Sequence, residues 1–224
     1  MGPPLSRVDR GIDPHAQYFV AFQVSDPEIS ENVLKVQKKI MSRPVTTIRN
    51  IKSGHDFQQT FLPVEQLHVT LYILNHLKDE DVETAKTLLR IVRDKVKDEF
   101  VKNPLDVRFK GIHHWGDKVL FAKIDGKEDL ERVKKLSELI KTELKKAGFH
   151  PDGLRNYTPH MTFAMMRRAK KMYRKIKTFP KELWVKDKFQ NFGQQRLNGF
   201  DLLEARLNNK TKYYVKVAEY KFNN

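Results

Sequence analysis

The feature that most constrains this chain is an internal repetition. One stretch reads as strand, helix, strand over 17–24, 27–41 and 66–74, and a second repeats that order over 118–125, 127–147 and 160–166. The units lie roughly a hundred residues apart, and no linker-like composition separates them. Their final strands carry the same tetrapeptide pattern, His68-Val69-Thr70-Leu71 and His160-Met161-Thr162-Phe163. Alternate side chains of a strand face opposite sides. Period two therefore puts each His with its Thr on one face, and Val69, Leu71, Met161 and Phe163 on the other. The apolar face is expected to pack on helices. The polar face must line something wet, because an unpaired buried imidazole or hydroxyl is costly.

Helical periods fill the intervals. Asp26 is placed to cap a helix that has Pro27 at its first position, and Ile29, Val33, Val36 and Ile40 then share one face. Val82, Ala85, Leu89, Val92, Val96 and Phe100 mark a second helix. Leu130, Val133, Leu136, Ile140, Leu144 and Ala147 mark a third, which Gly148 stops. Residues 42–63 read as a long loop. Stretches 104–115 and 119–124 read as a hairpin turning at Gly116-Asp117, and 197–205 with 212–222 as a closing pair. Local antiparallel pairs with helices outside predict an α+β class, with two lobes facing each other across one cleft. The expected organisation is a single bilobal domain over 17–224 after an irregular lead-in, 1–16.

The paired motifs carry a definite chemistry. Histidine, with an ordinary pKa of about 6.5, takes and gives protons near neutrality. Two of them, one neutral and one protonated, serve as base and acid on opposite sides of one phosphorus. The neighbouring hydroxyls donate to non-bridging oxygens as charge develops. The catalytic candidates are thus His68, Thr70, His160 and Thr162. No Cys ligand, carboxylate cluster or His-Glu-x-x-His accompanies them, so neither a metal nor another cofactor is expected.

At this point the sequence resembles the 2H (two-histidine) phosphoesterases. Within that family it is similar to the central domains of the gamma and delta forms of A-kinase anchoring protein seven. The matching stretches are Tyr18-Phe19, Leu67 to Leu71, Gly111-Ile112, Gly116 to Val119, Pro159 to Phe163 and Phe192-Gly193. The resemblance implies a LigT-like bilobal fold with pseudo-two-fold symmetry, and it carries over the same four residues. It also implies a substrate, 2′,5′-linked oligoadenylate, the messenger of an antiviral ribonuclease, or a related RNA or nucleotide phosphodiester. Attack of the free 3′-hydroxyl would give a 2′,3′-cyclic phosphate. The alternatives are a 2′,3′-cyclic nucleotide, an RNA end or ADP-ribose cyclic phosphate as substrate, and a non-catalytic AMP- or RNA-binding module. Two departures stand out. The chain stops at Asn224 without the helix that anchors the kinase regulatory subunit, so that partner is not expected. Gly199 also replaces an arginine that relatives place before the aspartate here numbered Asp201, leaving Arg196 as its candidate substitute.

Charge adds a partner class. The chain of 224 residues holds 43 Lys and Arg against 28 Asp and Glu, a formal net charge of +15. That bias favours polyanions. No apolar run is long enough to span a membrane, no leader opens the chain, and cysteine is absent. A monomeric, cytoplasmic or nuclear protein without membrane attachment is the expectation. Ten basic residues and only Glu182 and Asp187 lie between Arg167 and Lys188, with Met172, Tyr173, Ile176, Phe179 and Trp184 interleaved. This run is expected to pack on the body as a loop or hairpin and to form a basic lip through Arg167, Arg168, Lys170 and Lys171.

Further candidates for substrate contact are Tyr72, on the His68 face by period, Tyr157, just before the second motif, Arg196 and Phe121. For Phe121 packing in the core is the stronger reading. Asp201 is expected to structure the closing strand rather than to act in catalysis.

Overall fold

In the computed structural model, which describes residues 18–74, 77–149 and 158–223, β1 (Tyr18–Gln23) pairs with β2 (His68–Leu74), and β4 (Val119–Asp125) with β5 (His160–Met165). The two registers correspond position for position. Gln23 faces His68 and Ala21 faces Thr70 in the first; Lys123 faces His160 and Phe121 faces Thr162 in the second. Each histidine strand then carries one extra residue, Leu71 before Tyr72 and Phe163 before Ala164. Both are β-bulges at the last position of the motif.

A bulge takes a carbonyl out of the ladder, and a buried carbonyl needs a donor. A polar residue of a packed helix supplies it in each case. Ser137 Oγ donates to Leu71 O at 2.6 Å, and Gln37 Nε2 reaches Phe163 O at 3.4 Å beside the Leu62 N–H at 3.0 Å. Gln37 lies on α1 (Pro27–Ser42) and Ser137 on α3 (Lys127–Lys146).

The outer strands are β3 (Asp106–Trp115), β6 (Asn191–Arg196), β7 (Gly199–Leu207) and β8 (Tyr214–Lys221). One eight-stranded sheet runs in the order β6-β3-β4-β5-β2-β1-β7-β8, with antiparallel neighbours throughout. At its centre β2 and β5 meet through one register pair, Val69 and Met161. Two four-stranded halves thus join at a narrow seam, with a histidine strand on each side of it.

The helices cross that seam. α1 follows β1 but packs on β6 of the other half, while α3 follows β4 but packs on β2. α2 (Asp79–Lys102) packs on α3 and β8. The expected faces are the buried ones: Ile29, Val33, Val36 and Ile40 of α1 are fully buried, as are Val133, Ile140 and Leu144 of α3. Asp26 Oδ1 accepts the Glu28 and Ile29 amides at 2.9 and 3.3 Å, the expected cap. Val69, Leu71, Met161 and Phe163 join one core cluster beneath the helices, as alternation predicts. The hairpin turns at Gly116 and Asp117, with φ of 53° and 54°, the left-handed pair of a type I′ turn.

Three local expectations are corrected. The stretch 42–63 contains a 3₁₀ helix, Gly54–Thr60, that buries Phe57. β6 was not expected, because Asn-Phe-Gly-Gln-Gln-Arg shows no alternation; it is held as an edge strand by pairing with β3. The basic run is neither a plain loop nor a hairpin. It is a series of single turns: Met166–Arg168, α4 (Lys170–Tyr173), Lys181–Leu183 and Val185–Asp187. It does pack on the body, through buried Met166, Phe179, Leu183 and Trp184. Among the described residues no helix is long and apolar enough to cross a membrane. The lead-in 1–16 lies outside them.

Candidate active site

His68 and His160 open β2 and β5, one on each side of the seam, and point to the same face of the sheet. Each ring is fixed by a carbonyl two residues earlier: His68 Nδ1 lies 2.8 Å from Gln66 O, and His160 Nδ1 lies 2.8 Å from Thr158 O. A carbonyl only accepts, so Nδ1 carries the proton and the lone pair of each neutral ring is on Nε2. Backbone therefore sets both tautomers in the same way.

Aromatic rings wall each histidine. Phe19 and Tyr214 stand 5.4 and 5.3 Å from His68, centroid to centroid. Trp115 and Phe121 stand 4.2 and 5.0 Å from His160, both edge-to-face. Only 8% of each histidine remains exposed. Burial disfavours the charged ring. It pulls the His68 pKa below 6.5, and it pulls His160 down to about 4, with the neighbouring His68 charge acting in the same direction. Both rings are therefore neutral at pH 7 in the free protein. Thr70 is half-buried and Thr162 buried, on the histidine face opposite Ala21 and Phe121.

The face around the pair is charged differently in its two halves. Beside His160, Lys123 faces Lys110 across β3 and β4, and Arg108 and Lys110 both approach Asp125 at about 4 Å. Beside His68, buried Asp201 pairs with Lys216 at 3.1 Å, and Glu219 meets the same ammonium at 3.1 Å. Burial raises the Asp201 pKa against the pull of Lys216. A cavity of about 480 Å³ opens at these strand ends, lined by Gln23, Gln195, Asn198, Asp201, Lys216 and Glu219. It adjoins His68 through Gln23, its cross-strand partner, and does not include the histidines themselves.

The weaker candidates divide. Tyr72 is not on the histidine face. The Leu71 bulge turns it into the core, where it is 1% exposed and its hydroxyl donates to Phe149 O at 2.9 Å. Phe121 is buried, yet it packs on His160 and Trp115 rather than in the core cluster. Arg196 lines the cavity, but Asp106 takes its Nε and Nη2 at 2.6 and 2.9 Å, so it is not a ready replacement for the missing arginine. At Gly199 itself a Cβ would lie 2.3 Å from Tyr220 O, so this backbone admits no side chain there. Tyr157 lies outside the described residues. Of the basic lip, Arg168 Nη1 reaches Gln66 Oε1 at 3.4 Å, Arg167 Nε lies 3.3 Å from Met165 Sδ, and Lys170 and Lys171 are exposed on α4.

Sequence reasoning missed the rings of Phe19, Trp115 and Tyr214 and the carbonyls of Gln66 and Thr158. Only a correct strand register would have found the rings, and the carbonyls have no residue signature at all. Among the described residues no three His, Cys, Asp or Glu side chains converge as a metal site.

Known proteins repeat this architecture. The family model of the AKAP7 2′5′ RNA ligase-like domain matches residues 16–222. Human A-kinase anchor protein 7 isoform gamma is 20% identical over 191 residues, 85% of this chain and 52% of the human protein. The chain thus spans about half the length of that relative. Among solved structures, a Thermus thermophilus protein superposes with a TM-score of 0.59 at 19% identity, over 92% of this chain and 97% of that one. E. coli LigT complexed with 3′-AMP gives 0.58 at 14% identity, over the same shares. At such identities the superpositions speak for the fold.

Proposed function

Because this chain belongs to the family of AKAP7 2′5′ RNA ligase-like domains, within the 2H phosphoesterases, we propose that it is a phosphodiesterase acting on 2′,5′-linked oligoadenylate by acid–base catalysis between His68 and His160. The observation that carries the reading is the matched pair of Nδ1-anchored imidazoles, one on each side of the β2–β5 seam. Two Nε2 lone pairs presented by symmetry-related strands suit an in-line displacement, with one ring at the entering oxygen and the other at the leaving one.

A 2′,5′ bond leaves a 3′-hydroxyl beside its phosphorus. One neutral imidazole takes the proton of that hydroxyl, and the oxygen bonds to phosphorus. The bond to the 5′-oxygen breaks, and that oxygen takes a proton from the other, protonated imidazole. The products are a 2′,3′-cyclic phosphate and a 5′-hydroxyl. Thr70 and Thr162 donate to the non-bridging oxygens. Burial keeps both rings neutral in the free protein, so the acid must gain its proton with the substrate. The phosphate anion supplies the opposite charge that favours it. The cavity beside Gln23 offers room for a flanking nucleoside. A nucleotide ligand is also what the LigT complex with 3′-AMP contains.

The decisive experiment is incubation with 2′,5′- and 3′,5′-linked adenylate trimers, with product masses measured. Cyclic-phosphate products from the 2′,5′ trimer are expected. Preferential turnover of the 3′,5′ trimer would replace the substrate. AMP binding without turnover of any diester would make the chain a binding module.

A further inference from the structure

The segment joining β5 to β6 is the most basic stretch of the molecule, and the proposed chemistry does not use it. Its Phe179, Leu183 and Trp184 are buried in the body, so its turns form a fixed scaffold rather than a loose tail. Its two acids are both engaged by the stretch 43–47. Glu182 accepts the amides and hydroxyls of Thr46 and Thr47 at 2.9–3.2 Å, and Asp187 pairs with Arg43 at 2.6 Å. Docking the scaffold thus consumes both carboxylates and leaves the cations outside. Nine of its ten Lys and Arg residues are exposed, and among the described residues none of the nine has a carboxylate partner. On α2 and α3 the pattern is the reverse: Lys86, Lys134, Lys141 and Lys146 each pair with a Glu three residues away.

Two further observations give this surface a direction. At one end Arg168 reaches the side chain of Gln66, whose own carbonyl holds the His68 ring. At the other end Phe189 is 76% exposed, with Lys188 Nζ 4.7 Å from its ring centroid. Cations held on a scaffold and ending in an exposed ring form an arrangement that tracks a phosphate backbone and stacks a base.

We propose that the segment 167–189 binds single-stranded RNA running out of the cleft past Arg168, with its lysines on the phosphates and Phe189 under a base. An anionic membrane is the poorer fit, because the large apolar side chains exposed there are only Val185 and Phe189. The choice of nucleic acid rests on the reading of the cleft as a nucleotide site, whereas the binding itself needs no turnover.

The test compares a fluorescent 3′,5′-linked oligoadenylate of about twenty nucleotides with a dinucleotide, by anisotropy across a salt series. Joint replacement Lys170→Glu, Lys171→Glu, Arg174→Glu and Lys175→Glu should weaken the long oligomer by about tenfold or more, and flatten its salt slope by about one for each phosphate no longer neutralised. Phe189→Ala should weaken it by about fivefold or more. Dinucleotide affinity and thermal unfolding should not move. Equal loss on both ligands, no loss on the long one, or wild-type binding to phosphatidylserine vesicles without RNA binding would overturn the proposal. A protein that binds the long oligomer in this way yet cleaves no diester would defeat the proposed activity alone. One that cleaves diesters but binds both lengths alike would defeat this surface alone.

Discussion

The two halves of the sheet share their backbone and differ in their side chains. Both histidines open a strand, both donate Nδ1 to a carbonyl two residues back, and both motifs end in a bulge whose carbonyl is met by a helix. Around them little else is alike. Tyr214 and Phe19 flank His68, where Trp115 and Phe121 flank His160. An acidic pair with Lys216 lies on one side, and Lys110 and Lys123 on the other. The shared parts fix tautomer and direction, which both proposed proton transfers need. The differing parts set dryness and field, through which two identical side chains would take on the different roles proposed for them.

The largest test of that division removes a histidine from either half. His68→Ala and His160→Ala should each lower kcat on the cleaved oligoadenylate by about 10²–10⁴-fold. The variants should remain folded by circular dichroism. Retention of most of the rate by one variant would mean that a single half carries the chemistry and the symmetry is only architectural.

Next in size is the response to pH. Both histidine pKa values are lowered in the free protein, so the singly protonated pair is most populated below pH 6.5. The kcat/KM profile should be a bell with its maximum on the acid side of 6.5. A maximum above pH 7.5 would contradict this electrostatic account. Stability follows the same groups. Where the unfolded chain binds more protons than the folded one, stability rises with pH. An unfolded His titrates near 6.5 and buried His160 near 4, so its contribution is fully present above 6.5 and lost as pH falls toward 4. The loss is about 3 kcal/mol, to be read from urea midpoints at pH 7 and pH 4, and His160→Ala should flatten the difference.

A smaller effect separates the halves by their rings. Trp115→Ala lets water reach His160 and should raise its pKa toward 6.5, moving one limb of the profile upward. Tyr214→Phe keeps the ring beside His68 and should leave the profile in place. NMR titration of the two imidazoles checks both outcomes, and equal shifts would deny that each half tunes its own histidine.

What could be read in advance follows the range over which each signal acts. The helix faces and the two sides of the motifs are local periodicities, and Ile29, Val33, Val69 and Phe163 are buried where the pattern puts them. The acid–base candidates follow from the repeated His-x-Thr pattern, and family resemblance adds the substrate expected of them. The rest depends on distant partners. The bulge at Leu71 is marked by no Gly, Pro or charge. Tyr214 meets His68 only because β8 joins β7 and β7 joins β1. Gln66 and Thr158 act through carbonyls that any residue would offer. β6 is a strand by its pairing rather than its composition.

Tyr72 gives the finest contrast, because a one-residue slip decides its face. Strict alternation from His68 would put its hydroxyl on the histidine face. The bulge sends it into the core instead, to Phe149 O at the end of α3, and burial raises its pKa. The matching position in the other half is Ala164, which has nothing to donate. Tyr72→Phe therefore removes one buried hydrogen bond, strands a carbonyl, and should cost about 1 kcal/mol of stability. KM and kcat should stay at the wild-type values. A raised KM with unchanged stability would return Tyr72 to the substrate face and remove the bulge from the first half, and with it the register match on which the pairing of the two histidines rests.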